Sequence, residues 1–326
     1  MEPASLEHKD KLYLVTHKEL SSGYQTAQIA HVVAEFILNN PDEAKTWNLT
    51  SNSVIVLEAD SARHLYELQE SAAGKGMLVT EFREPDLGDE ITALAFGPSE
   101  NTRKLLSNLR CAGRNISESR ESELRQRERK IRDMSFAMMD CEQTEGQNVL
   151  QHGRSVREHY FALISHLRGE VDLSQTSNWR LPSWLADYRI ELLSAIPDRY
   201  VMDRYLTLHD CGKPSVLEVD DEGKRHFPMH AQSSQRTYNE TFSSPDASVS
   251  YLIEHDMDIH LLSAVDVPPF VESGFAIAQL LSGLAELTSN AAMFGGIEST
   301  GFKMKYKRLD QRGKAICKVM FENGAE

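Results

Sequence analysis

Near the middle of the chain His209 and Asp210 stand side by side, followed by Cys211, Gly212, Lys213 and Pro214. An imidazole and a carboxylate in adjacent positions at a helix end can close on one cation, and Gly212 and Pro214 stop the helix so that the pair faces a cavity. A lone His-Asp pair is a weak signal, so its company carries the weight. His152 lies on a helical pattern 57 residues before His209, His230 follows Asp210 by 20 in HFPMHA, and His255-Asp256 begins 25 later in EHDMDIH. Mixed imidazole and carboxylate donors suit one or two ions of Mn, Fe, Co, Ni or Zn rather than calcium, which demands more oxygen ligands. Such an ion brings the pKa of its water towards neutrality, and a second can hold phosphate oxygens. Lys213 adds a point charge beside the negative charge that develops. The expected chemistry is hydrolysis of a phosphate ester, with Asp210 and Lys213 in catalytic roles.

The ordered pattern of His, then His-Asp with Gly-Lys-Pro, then His, then a later helix carrying His or Asp resembles the HD-domain phosphohydrolase superfamily over roughly Asn148 to Lys318. The resemblance implies an all-α bundle that holds one or two divalent metals. It implies a primary metal set of His152, His209, Asp210 and Asp256, a second site completed by His230 and His255, and a phosphate-contacting role for Lys213. His226 stands four residues before His230; His230 is preferred because the family's residue follows a proline and opens a helix. In HDMDIH, Asp256 and His260 share one helical face at i, i+4, whereas His255 and Asp258 share another at i, i+3. Only one face can look into the site, and Asp256 with His260 is the preferred one.

The segment 303–318, KMKYKRLDQRGKAICK, holds seven basic residues against one acid, Asp310. A solvated helical face accounts for such a run. On so acidic a chain the run can also admit a polyanion, with Lys305, Lys307 and Arg308 contacting phosphates and Tyr306 stacking on a base.

The elements that must position these residues fall into two regions. From Lys11 to about Gly113 the hydrophobic period switches repeatedly, as in alternating strands and helices. Runs at 12–15, 54–57, 77–82 and 91–96 predict four strands. Between them the spacing of Ala27, Ile29, Ala30, Val33, Phe36 and Ile37 predicts a helix, Leu65 and Leu68 mark a second capped by Asp60 or Ser61, and Thr102 to Leu109 a third. This is a small α/β layer domain over residues 1–113. Residues 114–140 form a charged, partly helical connector, whose segment 114–133 carries seven basic and five acidic residues. Beyond it, over residues 141–326, helical patterns at 149–167, 184–194, 198–208, 247–255 and 275–292 predict an all-α domain, interrupted by one hairpin excursion at 215–226.

In the first region SSGYQTAQIAHVVAEF, with Gly23, Ala27, Gln28, Ala30 and His31, and the terminal ITALAFGP with Gly97-Pro98 resemble the peptidyl-tRNA hydrolase family of the archaeal and eukaryotic type. Two departures matter. Tyr24 stands where that family has lysine, and the acidic EPDLGDE at 84–90 replaces an Asp-Ala-Gly-Arg-Thr loop. The resemblance therefore implies a fold suited to RNA or partner docking, with little or no hydrolysis of peptidyl-tRNA. Gln28 and His31 are either cleft residues or packed polar ones.

The chain has 326 residues, with 35 Lys and Arg against 49 Asp and Glu, for a net charge of −14. That balance argues against sequence-independent coating of nucleic acid while leaving room for a local basic patch. Cys111, Cys141, Cys211 and Cys317 are spaced for neither a metal knuckle nor a disulfide framework, and neither a leader nor a membrane span is expected, so a cytoplasmic location follows. The leading expectation is a metal-dependent phosphohydrolase acting on an RNA end, at a 2′,3′-cyclic or terminal phosphate. Two others are a nucleotide phosphohydrolase with a regulatory first domain, and a binding module in which a metal only stabilises the bundle. The oligomeric state is left open.

Overall fold

A computed structural model describes residues 11–113 and 116–322, so Arg114 and Asn115, where the composition changes, lie outside the described residues. The chain divides into two compact units, the first ending at Asp133 and the second beginning at Met134.

The first unit follows the order β1 (Leu12–His17), α1 (Ser22–Asn39), α2 (Pro41–Thr50), β2 (Val54–Ala59), α3 (Ala62–Ala73), β3 (Val79–Glu84), β4 (Glu90–Phe96), α4 (Glu100–Leu105) and β5 (Arg110–Cys111), and it takes in the first part of α5 (Glu118–Asp140). The sheet runs β3-β4-β1-β2-β5. β1 and β2 are parallel, because α1 and α2 carry the chain back between them, and β4 joins β1 antiparallel. β1 and β4 are buried along their whole length, which is why they read as continuous apolar runs rather than alternating ones. Leu12, Leu14, Ala93 and Ala95 meet Val32, Phe36, Ala44 and Trp47 from α1 and α2 in one core.

The architecture is the expected small α/β layer domain, its sheet mixed and enlarged by β5, with α2 a further helix that the hydrophobic spacing does not predict, and with local differences. β3 begins at Val79 rather than Met77, since Gly76 sits at φ 62° in the turn before it. Ser61 supplies the cap of α3, its side chain accepting from the His64 amide, while Asp60 pairs with Lys18 instead. The helix α4 is shorter than its pattern suggests. The largest difference is α5, helical from Glu118 onward rather than in its second half, with Leu124, Glu128 and Ile131 buried at i, i+4 and i+7. That spacing is one helical stripe, obscured in the sequence because one member is charged.

The second unit opens with a short hairpin, β6 (Glu142–Thr144) and β7 (Gln147–Asn148), and continues α6 (Val149–Arg168), α7 (Trp184–Asp187), α8 (Arg189–Ala195) and α9 (Arg199–Leu208). The expected hairpin follows as β8 (Glu218–Val219) and β9 (Arg225–His226). Then come α10 (His230–Thr241), α11 (Ala247–Glu254), α12 (Asp258–Leu261), α13 (Val267–Glu272), α14 (Ala276–Ser289) and α15 (Thr300–Cys317). Asn148 and Gln151 form a reciprocal capping box that starts α6, and Asp198 caps α9 by accepting from Val201 N–H. α14 is buried on nearly every side, and α6 packs between it and α9. Among the described residues no single helix is long and apolar enough to cross a membrane, and all four cysteines are unpaired thiols.

Because Leu124 and Ile131 are buried, and burying each such side chain contributes about 1.5–3 kcal/mol, the part of α5 up to Asp133 should be needed by the first unit. A fragment of residues 1–133 is expected to melt cooperatively, and one of residues 1–113 at least about 10 °C lower. Equal melting temperatures by circular dichroism would show that α5 contributes nothing there.

Candidate active site

Two helices of the second unit approach unusually closely. A Cβ added at Gly153 of α6 would lie 2.2 Å from the Thr207 carbonyl oxygen of α9, so only glycine permits the contact. His152 precedes that glycine and His209 caps the C-terminus of α9, which brings their rings to 5.2 Å between centroids in an edge-on arrangement. A second close approach follows at once. A Cβ at Gly212 would meet the Ser234 amide nitrogen at 2.2 Å, and the Gly212 N–H donates to Ser234 Oγ, locking the chain after Asp210 onto α10.

Asp210 sits among these elements at 2% exposure. Its Oδ2 accepts from Lys213 Nζ at 2.6 Å and lies 3.2 Å from His209 Nε2 and 3.7 Å from His152 Nε2. Its Oδ1 is 3.8 Å from His230 Nε2 and has no hydrogen-bond partner. His152, fully buried, has a partner for neither ring nitrogen. Glu286 of α14 completes the group: its Oε1 is 4.0 Å from His152 Nε2, its Oε2 is 2.9 Å from His260 Nε2, and His152, His209 and Glu286 each offer a ligand atom within 4.8 Å of the others.

These residues fit a divalent ion. Donors sharing an ion through bonds of about 2.0–2.2 Å stand roughly 3–4 Å apart. The separations of 3.2, 3.7, 3.8 and 4.0 Å fall in that range, and the buried nitrogens and oxygen without partners are what such an ion would satisfy. Tautomers are set from behind, since His209 Nδ1 meets the Leu206 carbonyl at 2.8 Å and His230 Nδ1 the Phe227 carbonyl at 3.1 Å. Both rings thereby present Nε2 to Asp210.

The electrostatics show how tightly the charges compensate. Burial drives the His152 imidazole down to about 4, helped by its neighbour His209, so this ring is neutral. Burial also opposes charge on His209, but Asp210, Asp256 and Glu286 outweigh it and hold that ring up at about 10. Burial would raise the Asp210 carboxyl; Lys213 and His209 overcome it and hold it well below the usual carboxylate range. Glu286 is likewise held down against burial by His260, whose own pKa rises in return. Solvent reaches the cluster where His230 and Glu286 are 21% and 25% exposed, whereas the void between His209, Asp256, His260 and Glu286 measures about 10 Å³, water-sized at most.

The structure thus gathers His152, His209, Asp210, Lys213 and His230. Asp256 is next to them, lining the same void, but its Oδ1 accepts from Tyr205 O–H at 2.7 Å, and Glu286 has the place near His152 that the sequence pattern suggests for Asp256. His255 is engaged elsewhere, with Nδ1 2.8 Å from Asp258 and its ring stacked on Tyr251, because α11 ends at Glu254 and adjacent side chains diverge beyond it. His260 reaches the cluster through Glu286. The sequence reading missed Glu286 and Tyr205. For Glu286 a signal existed: it is the single charged residue in the largely buried α14, and a lone acid on a buried helix needs a partner.

On α15, Lys303 and Lys314 are paired with Glu298 and Asp310, but among the described residues no ion pair engages Lys305, Lys307 or Arg308. Lys305 stands close enough to His260 to oppose its charge. Tyr306 has one face taken, with the Arg180 guanidinium 5.6 Å from its ring centroid. In the first unit Gln28 is a packed polar residue, donating to Glu84 at 2.8 Å and accepting from Thr92 at 2.7 Å, and His31 stacks on Phe82.

Residues 11–111 match the family model for peptidyl-tRNA hydrolase PTH2. No curated protein matches the chain.

Two outcomes are expected from this geometry. In titration calorimetry with Mn²⁺ or Zn²⁺, Asp210→Asn and Glu286→Gln should each weaken binding more than about tenfold and Asp256→Asn less, an order that reverses if Asp256 is the ligand. Gly153→Ala should cost about 1–3 kcal/mol in denaturant unfolding. An undiminished midpoint would show that α6 and α9 have slack.

Proposed function

We propose that the protein is a divalent-metal-dependent phosphohydrolase of HD type, acting on a phosphate ester at an RNA end, either a 2′,3′-cyclic or a terminal phosphate. The observation that carries this reading is the set His152, His209, Asp210 and partly buried Glu286, whose facing atoms lie 3.2, 3.7 and 4.0 Å apart while both ring nitrogens of His152 and Asp210 Oδ1 lack hydrogen-bond partners. A divalent ion bound there supplies a Lewis acid for phosphate oxygens and brings the pKa of water near neutrality. The chain's own residues do the rest. His152, already neutral, is a ready nitrogen donor, and the Nδ1 bonds of His209 and His230 hold their rings in place. Lys213 neutralises Asp210 and keeps a positive charge beside the phosphate. His230, at the exposed edge, stands where an entering ester first meets the cluster.

RNA is favoured as the carrier because the first unit matches a family named for hydrolysis of a tRNA ester. That unit is a hydrolase-type domain by its match, and in this chain it serves to dock RNA. Tyr24 in place of lysine, and the acidic 84–90 loop, argue against efficient hydrolysis of peptidyl-tRNA. The free-nucleotide alternative keeps the same chemistry without that docking.

The test is a screen of the metal-loaded full chain against phosphate esters that include 2′,3′-cyclic and 3′-phosphorylated oligonucleotides, mononucleotides and a chromogenic ester. Chelation and Asp210→Asn are expected to abolish turnover. Charge reversal at Lys305, Lys307 and Arg308 should raise KM for an oligonucleotide several-fold and leave the chromogenic ester unchanged. Full activity after chelation would sink the metal reading; an equal effect of charge reversal on both substrates would favour the nucleotide one.

A further inference from the structure

The first unit holds a second candidate site, remote in chemistry from the His-Asp cluster. A cleft of about 680 Å³ lies between the start of α1, at Ser21, Gly23 and Tyr24, and one face of α5, at Arg125, Arg129 and Arg132. Positions 122, 125, 129 and 132 are spaced by three and four, so one side of the helix carries the whole basic wall. The neighbouring stripe, Leu124, Glu128 and Ile131, is buried. Volumes of about 300–1,000 Å³ are those of small-molecule sites, large enough for a nucleotide.

Charge in this cleft is unbalanced. The only carboxylate in its wall, Glu128, is buried and spent on Ser21, accepting from its N–H at 2.6 Å and its O–H at 2.8 Å. Glu121 likewise accepts from Ser22 N–H and pairs with Arg125 at 3.1 Å. The amides of Ser21 and Ser22 are therefore already satisfied, and the charge that the cleft offers a ligand is guanidinium. Among the described residues neither Arg129 nor Arg132 makes an ion pair, on a chain where acids outnumber bases 49 to 35. Arg132 lies close enough to Tyr24 to act on its hydroxyl: burial raises the phenol's pKa, the guanidinium counters it, and the carboxylates of Asp86, Glu128 and Glu84 add smaller rises. A hydroxyl donor and two forked, permanently charged groups around a hollow match the geometry of phosphate oxygens.

We propose that Arg129 and Arg132 of α5, with Tyr24 of α1, form a binding site for a nucleotide phosphate, borne by a free nucleotide or by a single-stranded RNA. Arg125, already shared with Glu121, supports the potential of the wall. The site shares no residue with the metal cluster, and the family match ends at residue 111, before α5 begins.

The experiment uses the full chain with fluorescein-labelled 12-nucleotide unstructured RNA in anisotropy titrations, AMP as competitor and adenosine as the control without phosphate. Lys305→Glu, Lys307→Glu and Arg308→Glu are present throughout so that α15 does not contribute to the signal. Arg129→Glu with Arg132→Glu should weaken binding at least about tenfold and lower the salt slope for RNA by about 1.4, two contacts at roughly 0.7 each. Competition by AMP that the double variant loses identifies a mononucleotide site; arginine-dependent binding of RNA without such competition identifies a strand site. Adenosine competing as well as AMP, unchanged binding in the double variant, or no binding of either phosphate ligand to the parent protein would overturn the proposal. Both arginines are solvent-accessible, so melting should not change; if it does, Arg129→Gln with Arg132→Gln makes the same comparison. The titrations are run in EDTA, and turnover of a chromogenic phosphate ester by the metal-loaded protein should be untouched by the arginine changes, so failure here and failure of the metal reading are told apart.

Discussion

A carboxylate removed from water in the middle of a helical bundle costs several kcal/mol unless its charge is answered on the spot. Asp210 is such a group, and the second unit is arranged around answering it. Lys213 reaches back three residues to it, His209 sits beside it, and His152 and His230 bring nitrogens to its other approaches. None of this is possible unless α6 and α9 touch through backbone, which Gly153 allows, and unless the turn after Asp210 lies flat on α10, which Gly212 allows. Two residues without side chains thus decide where five ionisable ones meet.

The cluster contains more negative potential than its fixed cations neutralise. Asp210, Asp256 and Glu286 keep a proton on His209 well above neutrality, and Glu286 does the same for His260. Protons and Lys213 here carry positive charge that a divalent ion would otherwise bring, and exchange of one for the other is how a metal site and a buried acid cluster are linked. His152 is the exception, kept neutral by burial and by the positive ring next to it, and so ready as a nitrogen donor.

In the first unit the same principle works with opposite sign. Glu128 is a buried acid answered by the start of α1 rather than by a cation, through Ser21 N–H and O–H. With its acid turned inward, that part of α5 leaves its arginines facing a hollow. A charged segment that reads as a connector is, by this exchange, a structural helix with a basic face.

How much of this was legible follows from the range of the interactions. The strands at 12–17 and 90–96, the helices at 149–168 and 199–208 and the all-α character of the second half were readable, because hydrophobic period and capping residues are local properties. The His-Asp pair with its Gly-Lys-Pro tail was readable as a candidate site for the same reason, since ligand types that adjacent residues supply are visible in one window. Which distant groups join it was not. Glu286 is 76 residues beyond Asp210 and reaches the cluster only because α6 packs between α9 and α14, whereas Asp256, equally plausible by spacing, meets Tyr205. Likewise the acids and bases of 114–133 were all visible, but their split into a buried Glu128 and an open arginine face arises from the packing of α5 against the start of α1. Sequence specified the chemistry on offer and the local elements that carry it. Tertiary packing selected the partners, because burial and a few ångströms of distance decide whether a carboxylate meets an imidazole, a phenol or an amide.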